Sequence, residues 1–237
     1  MEERQSGGFG FLAGRWPLDA GKSTIVFIHG SGSSGQFWQA QIKGLTGRVN
    51  TVALDLPGHG RSGRDGKNKI EDYAQAVLEY IKAADIPRPV PCGLSIGGAI
   101  VQQLLLDFTE QFQAGILIGT GARLKVLPLI FEMIEKDYSK LVEMLCKLSA
   151  SEKTAPEVIR SFRDDLQKCD SRVTFGDFEA CNRFDVMDRI AEIGVPVMII
   201  SAQEDKLTPP KYADFLESAI PNTTRGQNPS IASRLKL

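Results

Sequence analysis

Hydrophobic residues along the first half of the chain fall into short unbroken runs separated by stretches with helical spacing. The run STIVFIHG at 23–30 is β-branched, apolar and stopped by glycine, which predicts a buried strand. VNTVALDLPGHG at 49–60 predicts a second strand ending in a Pro-Gly turn, and 37–45 between them predicts a short helix. Apolar or small residues at 70, 73, 74, 77, 78 and 81 have helix spacing, with Asn68 and Glu71 as a capping pair at the start. RPVPCGLS then predicts a strand. Residues 97–108 predict a helix with Ile100, Val101, Leu104 and Leu105 on one face, and FQAGILIGTG at 112–121 predicts another strand.

This alternation predicts an α/β fold, a mostly parallel sheet with helices on both faces. The expected parallel strands lie near 24–29, 50–55, 89–93, 114–119 and 195–201. The alternation breaks between 124 and 190, where Leu127, Ile130, Ile134, Tyr138, Leu141 and Leu145 mark amphipathic helices and no buried-strand run occurs. That segment is expected to be an inserted helical lid. VPVMIIS at 195–201 restores the sheet, and a helix follows with Pro209 and Pro210 at its start. The expected organisation is therefore core (1–123), lid (124–190), core (191–221) and a polar tail (222–237).

Composition narrows the function classes. At 237 residues with 42% hydrophobic and 24% charged residues, the chain suits one domain with a substantial core. A net charge of -1 gives no general attraction to nucleic acid or anionic lipid, and RSGRDGKNK at 61–69 reads as a solvated loop. The N-terminal MEERQSGG has no apolar core of a signal peptide, and no run approaches the roughly 18 apolar residues of a membrane span. Cys92, Cys146, Cys169 and Cys181 show neither CxxC nor metal spacing, so free thiols in a reducing cytoplasm are expected, with no metal and no cofactor.

The chemistry centres on CGLSIGG at 92–98. A strand, a Gly-x-Ser-x-Gly turn and an immediate helix put Ser95 on a sharp corner, its hydroxyl presented at the carboxyl end of the sheet. The flanking glycines tolerate the strained backbone and keep the turn uncrowded.

Four motifs in order, FIHGSGSSGQFW, DLPGHGRS, CGLSIGG and VPVMIISAQEDKLTPP, resemble the α/β-hydrolases over most of 23–221. The resemblance implies Ser95 as nucleophile and an oxyanion hole from the backbone N–H groups of Ser31 and Ile96. It implies Asp205 as the acid, with neighbouring Glu204 as the competing candidate. A serine at the elbow argues against the dehalogenase and epoxide-hydrolase branches, which use aspartate there. The wording around the serine is similar to that of small-ester and enol-lactone hydrolases, so a small acyl compound is the expected partner.

The general base is the point of departure. The chain holds only two histidines, His29 and His59, and both belong to motifs in which the resemblance implies structural roles. The family order Ser–Asp–His calls for a Gly-His at roughly position 232, beyond one more strand. The chain there reads IPNTTRGQNPSIASRLKL, in which that strand, the Gly-His and a closing helix are not recognisable. Two expectations follow: a serine hydrolase with impaired activity, or a non-catalytic ligand-binding protein on a hydrolase scaffold. Recruitment of His29 or His59 as base is the remaining route. Without a last strand, VPVMIIS would form an apolar sheet edge open to self-association.

Overall fold

The computed structural model describes residues 1–63, 65–150 and 154–228. Its centre is one eight-stranded sheet in the order β1-β2-β4-β3-β5-β6-β7-β8. The strands are β1 (Glu2–Ser6), β2 (Phe9–Ala13), β3 (Thr24–Ile28), β4 (Asn50–Leu54), β5 (Pro89–Leu94), β6 (Gly115–Ile118), β7 (Val197–Ala202) and β8 (Thr223–Asn228). β1, β2 and β4 pair antiparallel, and every pairing from β4 through β3 to β8 is parallel.

The five predicted parallel strands are all present. Their near-continuous burial explains why they read as apolar runs: both faces of each are covered. Alternate residues go to opposite sides. Val26 and Ile28 join the larger core, with α2 (Ile70–Ala83), α3 (Ile96–Asp107) and α8 (Pro210–Ala219). Phe27 joins a smaller core with Trp38 and Ile42, carried by a 3-10 turn (Gly35–Trp38) and α1 (Gln39–Leu45). Pro210 opens α8 after Pro209, where a missing N–H costs nothing.

Three expectations are corrected. The N-terminal hairpin β1–β2 was not foreseen, because Glu2–Ser6 has no apolar alternation; β2 supplies the buried residues, and β1 is held by backbone pairing. Asn68 does not cap α2. The helix begins at Ile70 after Lys69, with no side-chain cap, and the Asn68 amide instead donates to Glu179.

The third correction concerns the end of the sheet. A last strand is present: β8 pairs with β7 in parallel from Val197↔Thr223 to Ala202↔Asn228. β7 is therefore interior, and the open apolar edge expected there does not exist. Residues 223–226 alternate between half-buried and exposed, and the Arg225 guanidinium donates to Asp214 and Glu217 of α8. Main-chain pairing along β7 asks nothing of side chains beyond this alternation, so a polar sequence can supply it. The closing helix, if any, lies outside the described residues.

Among the described residues, four α-helices stand between β6 and β7: α4 (Pro128–Lys136), α5 (Tyr138–Ser149), α6 (Pro156–Lys168) and α7 (Ser171–Arg183). They share a core of their own around Leu141, Val142, Leu145 and Leu166.

Candidate active site

Ser95 stands between β5 and α3 with φ 56° and ψ −115°, a left-handed conformation that costs a non-glycine residue about 1–3 kcal/mol. The corner is fixed from both sides. Ser95 N–H donates to the Ile118 carbonyl at 3.0 Å, and its own carbonyl accepts from Thr120 Oγ1 at 2.9 Å. Ile96 is the first residue of α3, where backbone N–H groups have no partner within the helix. Its N–H is therefore free of the helix ladder immediately beside Ser95.

Ser31 lies in the loop after β3. Both Ser31 and Ser95 line a cavity of about 370 Å³, together with Glu204 and Asp205 from the loop after β7. The structure thus brings Ser31, Ser95 and Asp205 to one space. Much of the remaining wall is apolar and includes Ile130 of α4, Leu145 of α5, and Ile159 and Phe162 of α6.

Asp205 is half-buried and Glu204 exposed. Asp205 Oδ1 accepts from the N–H groups of Leu207 and Thr208 at 2.9 Å each, and Oδ2 accepts from Thr208 Oγ1 at 2.8 Å. These bonds fix the carboxylate and use three of its roughly four acceptor positions.

Neither histidine belongs to this cavity. His29 is fully buried; Leu56 N–H donates to Nε2 at 3.0 Å, and Nδ1 donates to the Gly30 carbonyl at 2.8 Å. That arrangement requires a neutral ring, and burial followed by the nearby His59 charge depresses its pKa to about 4. His59 is the opposite case. Its Nδ1 faces the Pro57 carbonyl at 3.0 Å and its Nε2 faces Asp177 Oδ2 at 2.9 Å. Both partners only accept, so the ring is a doubly protonated imidazolium. Burial works against the charge, but the Asp177 carboxylate outweighs it and holds the pKa well above 6.5. These bonds engage both rings away from the cavity that Ser95 lines.

Three carboxylates that the motifs did not single out grip the loop carrying Ser31. Asp55 accepts from Gly35 N–H at 2.7 Å. Asp165 of α6 accepts from Ser33 Oγ at 2.6 Å and Ser34 N–H at 2.9 Å on Oδ2, and from Ser34 Oγ at 2.6 Å on Oδ1. Asp177 of α7 accepts from Gly32 N–H at 2.9 Å on Oδ2 and from Tyr73 OH at 2.6 Å on Oδ1. Asp55 sat inside a quoted motif; Asp165 and Asp177 gave no sequence signal, since acids on amphipathic helices ordinarily face water.

The four cysteines are free, and burial pushes the Cys92 and Cys181 thiols far up in pKa, away from reactive thiolates. Among the described residues no cluster of three or more His, Cys, Asp or Glu side chains could hold a metal ion. No helix among them is long and apolar enough to cross a membrane.

Comparison with known proteins decides the family: the model of the Alpha/beta hydrolase family matches residues 25–226. The chain belongs to the alpha/beta hydrolase family. The match runs into β8 as far as residue 226, so the polar residues 222–226 are family sequence and not an unrelated tail. Among curated relatives, a pimeloyl-[acyl-carrier protein] methyl ester esterase of Pectobacterium carotovorum is 26% identical over 221 residues, 86% of this chain and 85% of that protein. A 3-oxoadipate enol-lactonase of Acinetobacter baylyi is 23% identical over 213 residues, 86% of this chain and 80% of that protein. A solved thermophilic esterase is 31% identical with a TM-score of 0.82, covering 97% of this chain and 88% of its own.

Proposed function

We propose that the chain is a serine hydrolase of small carboxylic esters or related acyl compounds, lactones included, with Ser95 as nucleophile. One observation carries the reading: Ser95, strained at a strand–helix corner, shares an apolar cavity with Ser31 and Asp205. The ester- and lactone-cleaving relatives support the substrate class.

In this reading Ser95 Oγ attacks the acyl carbon, and the carbonyl oxygen gains negative charge before the N–H groups of Ser31 and Ile96. The alkoxide leaves with the electron pair of the cleaved C–O bond and is protonated through water, which takes up the Oγ proton. Water then hydrolyses the acyl-serine. The inserted helices act as a lid whose apolar side chains hold the acyl chain, and Asp205 is the acid of the triad.

The proton on Oγ limits the rate. Serine is a weak nucleophile without an adjacent base, and both imidazoles of this chain are engaged elsewhere. Loss of a triad histidine costs on the order of a millionfold in turnover, while oxyanion hole and binding retain roughly 10³–10⁴ over water. The 237-residue chain is therefore expected to bind small esters, acylate Ser95 slowly and turn over at barely measurable rates. The engaged histidines equally favour a second reading, a ligand-binding protein that uses the cavity without turnover.

Steady-state hydrolysis of short-chain aryl esters, with intact-mass detection of acyl-Ser95, separates the two. An acyl adduct absent from Ser95→Ala supports the slow hydrolase. Binding with no adduct supports the ligand-binding reading, and ordinary enzyme rates would overturn the missing-base argument.

A further inference from the structure

Four hydrogen bonds run from the loop after β3 to carboxylates of the inserted helices, three to Asp165 and one to Asp177. We infer that Asp165 and Asp177 are positioning residues for acyl transfer: they fix the loop so that the Ser31 N–H points where charge develops on the substrate oxygen. The inference rests on the reading of Ser31 as an oxyanion donor.

The geometry favours this over mere attachment of the helices. The bonds fall on Gly32, Ser33 and Ser34, the three residues that directly follow Ser31, and they come from two different helices. Gly32 has φ +69°, and a Cβ there would press on Thr174 Oγ1 at 3.0 Å, so this backbone runs close against α7. On the other side Ser33 N–H turns back to the Gly30 carbonyl at 3.2 Å, and Gly35 N–H is held by Asp55. Ser31 is thus bracketed by fixed peptides.

At Asp177 the charge is also balanced. A lone carboxylate behind an oxyanion hole would oppose the charge the hole must stabilise. Asp177 is fully buried, and the His59 imidazolium shares the same Oδ2 that receives Gly32 N–H. The pair aligns the peptide while contributing little net negative charge. His59, placed outside the proton-transfer chemistry, thereby has a role as the countercharge of Asp177.

The test uses the full chain and an alkylphosphonate carrying a 4-nitrophenyl ester. Ser95 Oγ forms a bond to phosphorus, the P–O bond to nitrophenol breaks, nitrophenolate departs with the electron pair, and the Oγ proton passes to water. The phosphoryl oxygen occupies the oxyanion position, so the maximal labelling rate reads the hole while the half-saturating probe concentration reads the pocket.

Asp165→Asn and Asp177→Asn are expected to lower the maximal rate by on the order of 10–100-fold, the scale of a small misplacement of a reacting group, with half-saturation little changed. Asp164→Asn, on the exposed neighbour of Asp165, should leave both unchanged. If Asp177→Asn does not fold, the half-buried Asp165 decides the matter alone. An unchanged rate in Asp165→Asn, or equal losses of rate and affinity, would overturn the inference while leaving Ser95 as nucleophile. A wild-type chain that takes no phosphonyl group on Ser95 would overturn the serine-hydrolase reading and this inference with it.

Discussion

Gly93 and Gly97 cross at the Ser95 corner with no room for a side chain between them: a Cβ on Gly93 would run into the Gly97 carbonyl oxygen. The obstructing atom is backbone at the start of α3 and cannot rotate aside. Gly93→Ala should therefore cost about 3 kcal/mol or more, the upper end of overpacking penalties. Chemical denaturation or loss of soluble expression would read it; a stable, well-folded Gly93→Ala protein would contradict the packing at this corner.

Ser95 stores strain that a glycine releases. With φ at 56° and ψ at −115°, Ser95→Gly should be more stable than Ser95→Ala by about 1 kcal/mol, after allowing for glycine's greater unfolded-state entropy. Ser95→Ala should leave stability near wild type, and both should abolish acylation. Urea midpoints compared across the three proteins test the order.

The two histidines should act on stability with opposite signs in pH. His29, held at about 4 when folded against 6.5 when free, binds its proton in the unfolded chain first. Its contribution is present above about 6.5 and is lost as pH falls toward about 4. His59 is raised when folded, so its contribution is full below 6.5 and lost as pH rises through its folded pKa. His29→Gln should flatten the acid limb of the stability–pH curve relative to wild type. His59→Gln should cost about 3–5 kcal/mol, since it leaves Asp177 buried without its cation, and should remove the alkaline decline. Denaturation midpoints between pH 4 and 9 would show it, and an unchanged alkaline limb in His59→Gln would refute the ion pair.

Removing residues after Asn222 should expose β7. Val197, Ile199 and Ile200 are buried, and β8 presently satisfies the outer backbone edge of their strand. Chains ending at 222 should self-associate through that edge, whereas the chain with β8 should not use it. Light scattering at increasing concentration distinguishes them; a monodisperse truncated monomer would refute the prediction.

Most of the sheet was legible because strands covered on both faces must be apolar throughout, and helices such as α2 must repeat their buried residues every three or four positions. Ser95 was legible because only small residues can flank such a corner. β1 and β8 were not, since strands held by backbone pairing at the margins of a sheet need no hydrophobic run. The Asn68 cap failed because Lys69 takes the extended conformation before α2, carrying Asn68 out of reach of the first turn. Asp165 and Asp177 were invisible for another reason: an acid on an amphipathic helix looks the same whether it meets water or a buried imidazolium.

The bonds of Asp177 also order the folding of the chain. They join it to Gly32, His59 and Tyr73 across sequence separations of 145, 118 and 104 residues. Burying that carboxylate is strongly unfavourable until its partners are in place. The three partners come from the loop after β3, the turn after β4, and α2, so α7 can seat only after that half of the sheet has assembled. The seating of α7 is thus a long-range closure that needs the loop after β3, the turn after β4 and α2 together.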